Sequence, residues 1–343
     1  MSSLRVLEAM PLLGPSRSTA TELADQLAYQ INPDTHPEEA LRVLICRFLA
    51  AEASARTLGQ LATAEAWATQ EDLPHIATRI QLLWFAEIGR AHGDAVDEPL
   101  LETALATAVQ LGICETESLL ARAACQREHR DTHLSAALER MSDPRWAGLA
   151  FRAWLDLAAA LHAGADSAGA EHALHSALAL ATKHGDANAE IEVRTRIAVH
   201  YINRGLASNA QPHLEQALTL ARREEDDLST VILCSLLCPM YMNQEAWPAA
   251  SRLSDILLVA GARRANWYAV VDGHVTQSTL SLVHGDPAAA ISRLVRAAVH
   301  LRELVPAAAI NILKGRLAEL RHRLGNETFD THYREAMKRS TVA

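Results

Sequence analysis

A pattern that returns every 40 residues limits what this chain can fold into more than any other feature of its sequence. Ala170, Ala210, Ala250 and Ala290 mark the step. Leu174, Leu214, Ser254 and Leu294 follow four residues later, Ala177, Ala217, Leu257 and Ala297 seven later, and Leu178, Leu218, Leu258 and Ala298 eight later. Those spacings put the side chains on one face of a helix. A second stripe keeps the same register: Leu157, Ile197 and Leu237, then Ala158, Ala198 and Cys238, then Leu161, Tyr201 and Tyr241. The fourth copy departs from it, with Gln277, Ser278 and Ser281. Each unit reads as two amphipathic helices, neither able to bury its apolar face without the next unit. The expected class is all-α, a right-handed α-solenoid of stacked antiparallel helix pairs with repeats of about 40 residues.

Composition agrees with stacked helices. Apolar residues make up 49% of the 343-residue chain but aromatics only 4%, so alanine, the best helix former, must do much of the close packing. One core rarely serves this length, whereas a repeat array extends unit by unit. The net charge of −9, without a basic run, argues against a nucleic-acid or anionic-membrane surface. Five scattered cysteines do not make a disulfide framework and fit a reducing compartment. Glu8 interrupts the first apolar run, which argues against a secretory signal, and no run approaches the 18 residues of a membrane span. The expected location is the cytoplasm.

Along the chain, residues 1–36 read as N-terminal capping helices, 37–302 as the helical repeats and 303–343 as C-terminal capping helices. The N-terminal part also admits a DNA-binding reading, since Thr21-Glu22-Leu23-Ala24 looks like the second helix of a bacterial winged-helix domain. Its recognition helix would be 37–51, which opens with Glu38 and Glu39 and carries the core-type residues Leu41, Val43, Leu44, Ile45, Phe48 and Leu49. A helix entering a major groove needs cations and polar base readers instead. Helices are expected at about 19–31, 37–56, 58–70, 75–91, 98–111, 115–128 and 131–141, with Gly89 where a helix must let its partner approach. The last helix sets Phe329, Tyr333 and Met337 on one face.

The order Trp154, Leu157, Ala158, Leu161, Ala170, Leu174, Ala177 resembles the tetratricopeptide repeat, in a lengthened form similar to the sensor region of MalT-like regulators and to peptide-pheromone receptors. The step of 40 exceeds the usual ~34 residues, so helices or turns must be longer. Leu324-Gly325-Asn326-Glu327-Thr328-Phe329 also resembles the end of the MalT-like sensor region. No GxxxxGK[ST] loop occurs, and no helix-turn-helix follows the repeats. The resemblance implies an interaction module, a scaffold, adaptor or regulatory sensor, that holds a protein or peptide in a groove lined by the first helix of each pair. The alternative is a transcriptional regulator with a degenerate N-terminal DNA-binding segment and a repeat sensor.

Groove residues should lie on the stripe beside the packing positions. That stripe supplies the candidate partner-binding residues Arg152, His162, Thr195, Arg196, Asn203, Ser235, Met242, Asn243 and Thr279, alongside Ile232, Pro239, Asp272, Val275 and Val283. Asn203 and Asn243 lie one step apart. An asparagine side chain both donates and accepts, and the resemblance implies that such residues bracket a peptide backbone. Helix termination is the other open role for them. The stripe is neutral and partly apolar, which suits a mixed peptide or a partner's helix better than a phosphorylated one.

No catalytic constellation is expected. His129 with His133, and His172 with His175, have helical spacing but no HExxH string, and read as solvated faces rather than a metal site. Cys234 and Cys238 occupy packing positions. Trp247, Trp267 and Tyr268 stand near turns, as packing residues or partner contacts, and Pro239 should kink its helix. No Gly-rich phosphate loop or nucleophile elbow appears, so neither cofactor nor enzymatic activity is expected.

Overall fold

The structure is a computed structural model that describes residues 2–50, 55–92, 98–301 and 307–342. Among the described residues it contains eighteen α-helices and two short 3-10 turns, and no strand. The chain divides into two compact units, Met1–Val193 and Arg194–Ala343. The N-terminal unit holds α1 (Ser2–Ala9), α2 (Pro15–Gln30), α3 (Pro37–Ala50), α4 (Ala55–Gln70), α5 (Pro74–His92), α6 (Glu98–Leu111), α7 (Glu115–Cys125), α8 (Arg130–Arg140), α9 (Ala147–Ala163) and α10 (Ser167–His184). The division falls within α11 (Ala187–Asn203). The C-terminal unit continues with α12 (Ala207–Arg223), α13 (Asp227–Asn243), α14 (Trp247–Arg263), α15 (Trp267–Val283), α16 (Pro287–Leu301), α17 (Ala307–Leu324) and α18 (Asn326–Val342). The fold is all-α, built of stacked helix pairs.

The length of the repeat has a local cause. Ala165, Gly185, Gly205, Glu225, Glu245, Ala265 and Gly285 recur every 20 residues, all with φ between 50° and 76°. The residue after each donates its amide to a carbonyl five positions back, as in Asp166 to Leu161, Leu206 to Tyr201 and Asn266 to Gly261. This is the left-handed closure that satisfies the last carbonyls of a helix. In five of the seven turns that same residue also caps the next helix. Asp166, Asp186, Asp226, Asn266 and Asp286 accept from backbone amides of Gly169, Ala189, Ser229, Ala269 and Ala289. Three residues thus close one helix and open another, leaving 17 for helices such as α12, α13, α14 and α15. The extra length of the step therefore lies in the helices, each about 25 Å long, and not in the turns.

The residues of the 40-step register form the interior. Ala170, Ala210, Ala250 and Ala290 are at most 1% exposed. Ile197, Leu237, Leu214, Leu257 and Leu294 are equally buried. Where the fourth copy turns polar, its contacts persist. Ser278 donates to the Ala290 carbonyl at 3.0 Å, in the register place where Cys238 meets the Ala250 carbonyl at 3.9 Å. Gln277 accepts from Arg293 at 2.6 Å and donates to Asp255, so α15 remains continuous with a satisfied polar buried side chain.

Several boundaries differ from expectation. Helix α2 starts at Pro15, because proline suits the first helical position, and α7 ends at Cys125. Helix α3 ends at Ala50; the junction after it and the start of the last pair, at 51–54 and 302–306, lie outside the described residues. Gly89 of α5 admits α7, since a Cβ there would stand 2.9 Å from that of Ala124. Pro239 lies inside α13, which continues through it to Asn243.

Candidate functional site

In the N-terminal unit the stripe of α9 meets the chain itself. Gly148, the first residue of that stripe, lies against the Leu12 backbone so closely that a Cβ would sit 2.3 Å from its carbonyl oxygen. Leu12 and Leu13 are buried. Gly14, at φ 69°, donates its amide to Asp186 Oδ2 at 2.8 Å while the other oxygen of that carboxylate caps α11. One turn along α9, Arg152 donates to Glu87 Oε1 at 3.0 Å and to the Leu49 carbonyl at 3.4 Å. Leu155 beyond it is buried.

Among the described residues these contacts join four charged side chains. Glu87, only 3% exposed, also accepts from Arg90 at 3.1 Å, and Arg90 reaches Asp156 at 2.8 Å. Burial pulls Arg152 below the usual guanidinium value, with Glu87 opposing and Arg90 and Arg17 adding to the pull. Burial acts the same way on Arg90, but Asp156 and Glu87 outweigh it and raise the group. Glu87 thus accepts from both guanidinium groups. The void beside them, of about 30 Å³ between Arg90, Arg130 and Asp156, is too small for an organic guest. Chemically this region is a clasp.

The C-terminal unit is different. Helix α13 packs on α15, and α15 on α17, so the first helices form one layer, with α14 against α13 and α15, and α16 against α15 and α17. On α13 the side left uncovered presents Leu228, Ile232, Ser235, Pro239 and Met242. On α15 the matching positions are Tyr268, Asp272, Thr279 and Val283, and on α17 Ile312 and Glu319. Among the described residues, eight large apolar side chains of this unit are exposed; six of them, Val199, Leu228, Ile232, Tyr268, Val283 and Ile312, fall on this register at 38–52% exposure. Isolated exposed leucines need no explanation, but six exposed apolar side chains recurring at repeat spacing on one face do. Asp272 and Glu319 are the acidic members of the stripe among the residues named; burial pushes the Asp272 carboxyl up, and Arg316 opposes that shift.

At the α15–α17 end the stripe opens into a notch of about 140 Å³. Val275, Ser278, Leu294 and Leu320 form its buried floor and Leu282 and Thr279 its half-buried wall. Arg316, Glu319 and Arg323 stand exposed around it. Arg316 bonds Glu319 at 2.6 Å through one nitrogen, and Arg323 has no ion-pair partner among the described residues.

The nine residues singled out in the sequence are thus spread over both units. Arg152 is engaged in the clasp and His162 is exposed at the end of α9. Thr195 and Arg196 lie on α11, half-buried and exposed respectively. Ser235 and Met242 line the open side of α13, and Thr279 the notch, its hydroxyl donating to the Val275 carbonyl at 3.0 Å. Asn203 and Asn243 are the exposed last residues of their helices. Neither side chain makes a hydrogen bond among the described residues, and the left-handed position two residues on is filled by Gly205 or Glu245. Leu228, Ile312, Arg316 and Arg323 were missed, although the last three follow from carrying the stripe one 40-residue step beyond α15.

Other candidates are dispersed. His129 and His133 rings stand edge to face at 6.3 Å, and His172 leans on Trp154. No group of three metal-ligating side chains occurs among the described residues. All five cysteines are free, and burial pushes Cys234 and Cys238 up to about 12, which keeps them as thiols. No helix among the described residues is long and apolar enough to cross a membrane.

Comparison of the sequence with family models and with curated proteins finds no match. Solved structures do resemble it. One is a Signal Transduction ATPase with Numerous Domains (STAND) protein with a tetratricopeptide repeat sensor from Pyrococcus horikoshii, similar at TM-score 0.50 and 14% identity over 96% of this chain. This chain spans 53% of that protein's length. The fold is a tetratricopeptide-like helical repeat. Apo RapI (TM-score 0.41, 12% identity, 83% of this chain and 99% of that one) and a Rap protein complexed with Competence and Sporulation Factor (0.41, 13%, 94% and 96%) are more distantly similar.

Proposed function

We propose that this chain is a binding module, without catalysis of its own, that takes a peptide or a short segment of a partner protein along the stripe of α13, α15 and α17. The observation that carries this reading is the concentration of six exposed apolar side chains on one register of the C-terminal unit. Burying a fully exposed side chain of this size is worth about 1.5–3 kcal/mol and these are about half-exposed, so several anchors together with polar contacts are needed to offset the ~4–15 kcal/mol cost of association. Neighbouring helix axes lie about 8–10 Å apart and an extended peptide advances about 3.3 Å per residue, so every third residue of such a guest meets a new helix. The neutral character of α13 supports a guest recognised by shape and apolar contact, with polar contacts from Ser235, Asn243 and Thr279.

The DNA-binding alternative has less support. Leu41, Val43, Ile45, Phe48 and Leu49 of α3 are buried, and its first turn is acidic. The test is selection of displayed peptides on the whole chain, followed by titration of the winner against Ile232→Glu and Ile312→Glu. The reading expects an affinity loss of about tenfold or more with helicity unchanged. Selection without a winner, or a winner indifferent to both substitutions, overturns it.

A further inference from the structure

A largely enclosed cavity of about 140 Å³ lies in the N-terminal unit between α3, α4 and α5, with its mouth beside α2. Helix α3 packs on α2 and α4, and α4 packs on α5. Ile45, Phe48, Leu61, Ala64 and Ile80 form the inner wall, none more than 6% exposed. Ala64 is its small member, and its methyl group leaves open the space that a larger side chain on α4 would fill. A void of roughly 150 Å³ lined by leucine, isoleucine and phenylalanine stays dry and takes up benzene. The cavity here has the same lining chemistry and room for a body of about six carbons.

The mouth decides what that body must carry. Thr21, Arg47 and Gln60 form it, and all three are exposed. Arg47 is paired with Asp25 at 3.0 Å, so the two charges cancel. A carboxylate arriving there would meet Asp25, and an ammonium would meet Arg47. The Thr21 hydroxyl donates to the Arg17 carbonyl at 2.9 Å. The Gln60 side chain makes no hydrogen bond among the described residues and offers both a donor and an acceptor. A hydroxyl is the smallest uncharged group that answers both.

We infer that this cavity is a binding site, separate from the stripe, for a small uncharged hydroxylated hydrocarbon of the size of phenol. The ring occupies the space between Phe48, Leu61 and Ile80, and the hydroxyl stands at Gln60. Such a guest completes the packing of α3 against α4 and α5, so its binding stabilises the folded chain.

The test titrates the whole chain with phenol, benzene and benzoate, read by ligand-observed NMR and by thermal melting. Phenol is expected to bind with Kd of about 1 mM or tighter and to raise the melting temperature. Benzene should bind about three- to tenfold more weakly, for want of one hydrogen bond. Benzoate should bind more weakly than phenol by about tenfold or more, since its charge must leave water beside Asp25. Ala64→Leu fills the cavity and should abolish phenol binding; if it does not fold, Ala64→Val should weaken binding in the same direction. Gln60→Leu, at an exposed position, should keep benzene binding and erase the preference for phenol. Ile232→Glu should change none of these affinities. Phenol binding that survives in the filled cavity or responds to Ile232→Glu, equal affinity for phenol and benzene, tighter binding of benzoate, or no binding of any of the three overturns the inference.

Discussion

Arg152 and Ile232 hold the same place in the register, two 40-residue steps apart, and meet opposite surroundings. Arg152 is covered: Glu87 and the Leu49 carbonyl take its donors. Ile232 is 45% exposed. The pair before them repeats the contrast, since Gly148 lies under the backbone of Leu12 whereas Leu228 stands in the open. The same helical face is therefore used in two ways. In the N-terminal unit it is covered by the chain's own Leu12, Leu49 and Glu87, and in the C-terminal unit it stands uncovered. The difference arises from a few residue choices: a glycine that admits a backbone, and a buried glutamate that fixes two arginines.

Substitutions can break this contrast, and the largest effect belongs to the clasp. Glu87→Ala removes the buried carboxylate that Arg90 and Arg152 share, and should cost about 3–5 kcal/mol in urea unfolding; Ile232→Ala should stay within about 0.5 kcal/mol. Equal small losses at both would mean that the clasp does not hold the N-terminal unit. Next is the exchange of the register pair. Gly148→Leu forces a side chain into the Leu12 backbone and should cost about 1–3 kcal/mol, while Leu228→Ala should be near neutral for stability. A neutral Gly148→Leu would show that residues 10–17 are not seated there.

A smaller effect concerns acidity. Burial, with Arg293 and Arg296, holds the His274 imidazole below its usual value. A histidine depressed in the folded state contributes stability that is present above its unfolded value, about 6.5, and lost as pH falls through the folded one. The melting temperature should therefore decline between pH 7 and 5, less steeply in His274→Gln. An unchanged slope would assign the decline to other groups. The smallest expected effect is that of Asn203→Ala with Asn243→Ala, which should leave helicity and stability unchanged, since the turns close through Gly205 and Glu245. A fall in helicity would return these asparagines to a helix-ending role.

What could be read in advance follows from what repeats. The alanines and leucines of the 40-residue step each face the same kind of neighbour in every copy, so their pattern reports packing directly. The 20-residue beat of the turns was harder to see, because Ala165, Glu225, Glu245 and Ala265 hold left-handed backbone that only Gly185, Gly205 and Gly285 advertise. Glu87 was invisible for another reason. A glutamate on an amphipathic helix reads as solvated, and its burial depends on Arg152, 65 residues away. The stripe of α13 and α15 was legible as a face, but not as an open one, because exposure depends on whether something else in the fold covers it.

Radical footprinting of the whole chain tests this contrast most directly, read by mass spectrometry with and without peptides selected by display on the whole chain. The account predicts that Leu228, Ile232, Tyr268 and Ile312 oxidise readily in the free protein and are protected by the peptides, while Leu12 and Leu155 resist in both states. Oxidation of Leu12 and Leu155 as fast as Ile232, or a stripe that the peptides leave unprotected, would contradict it.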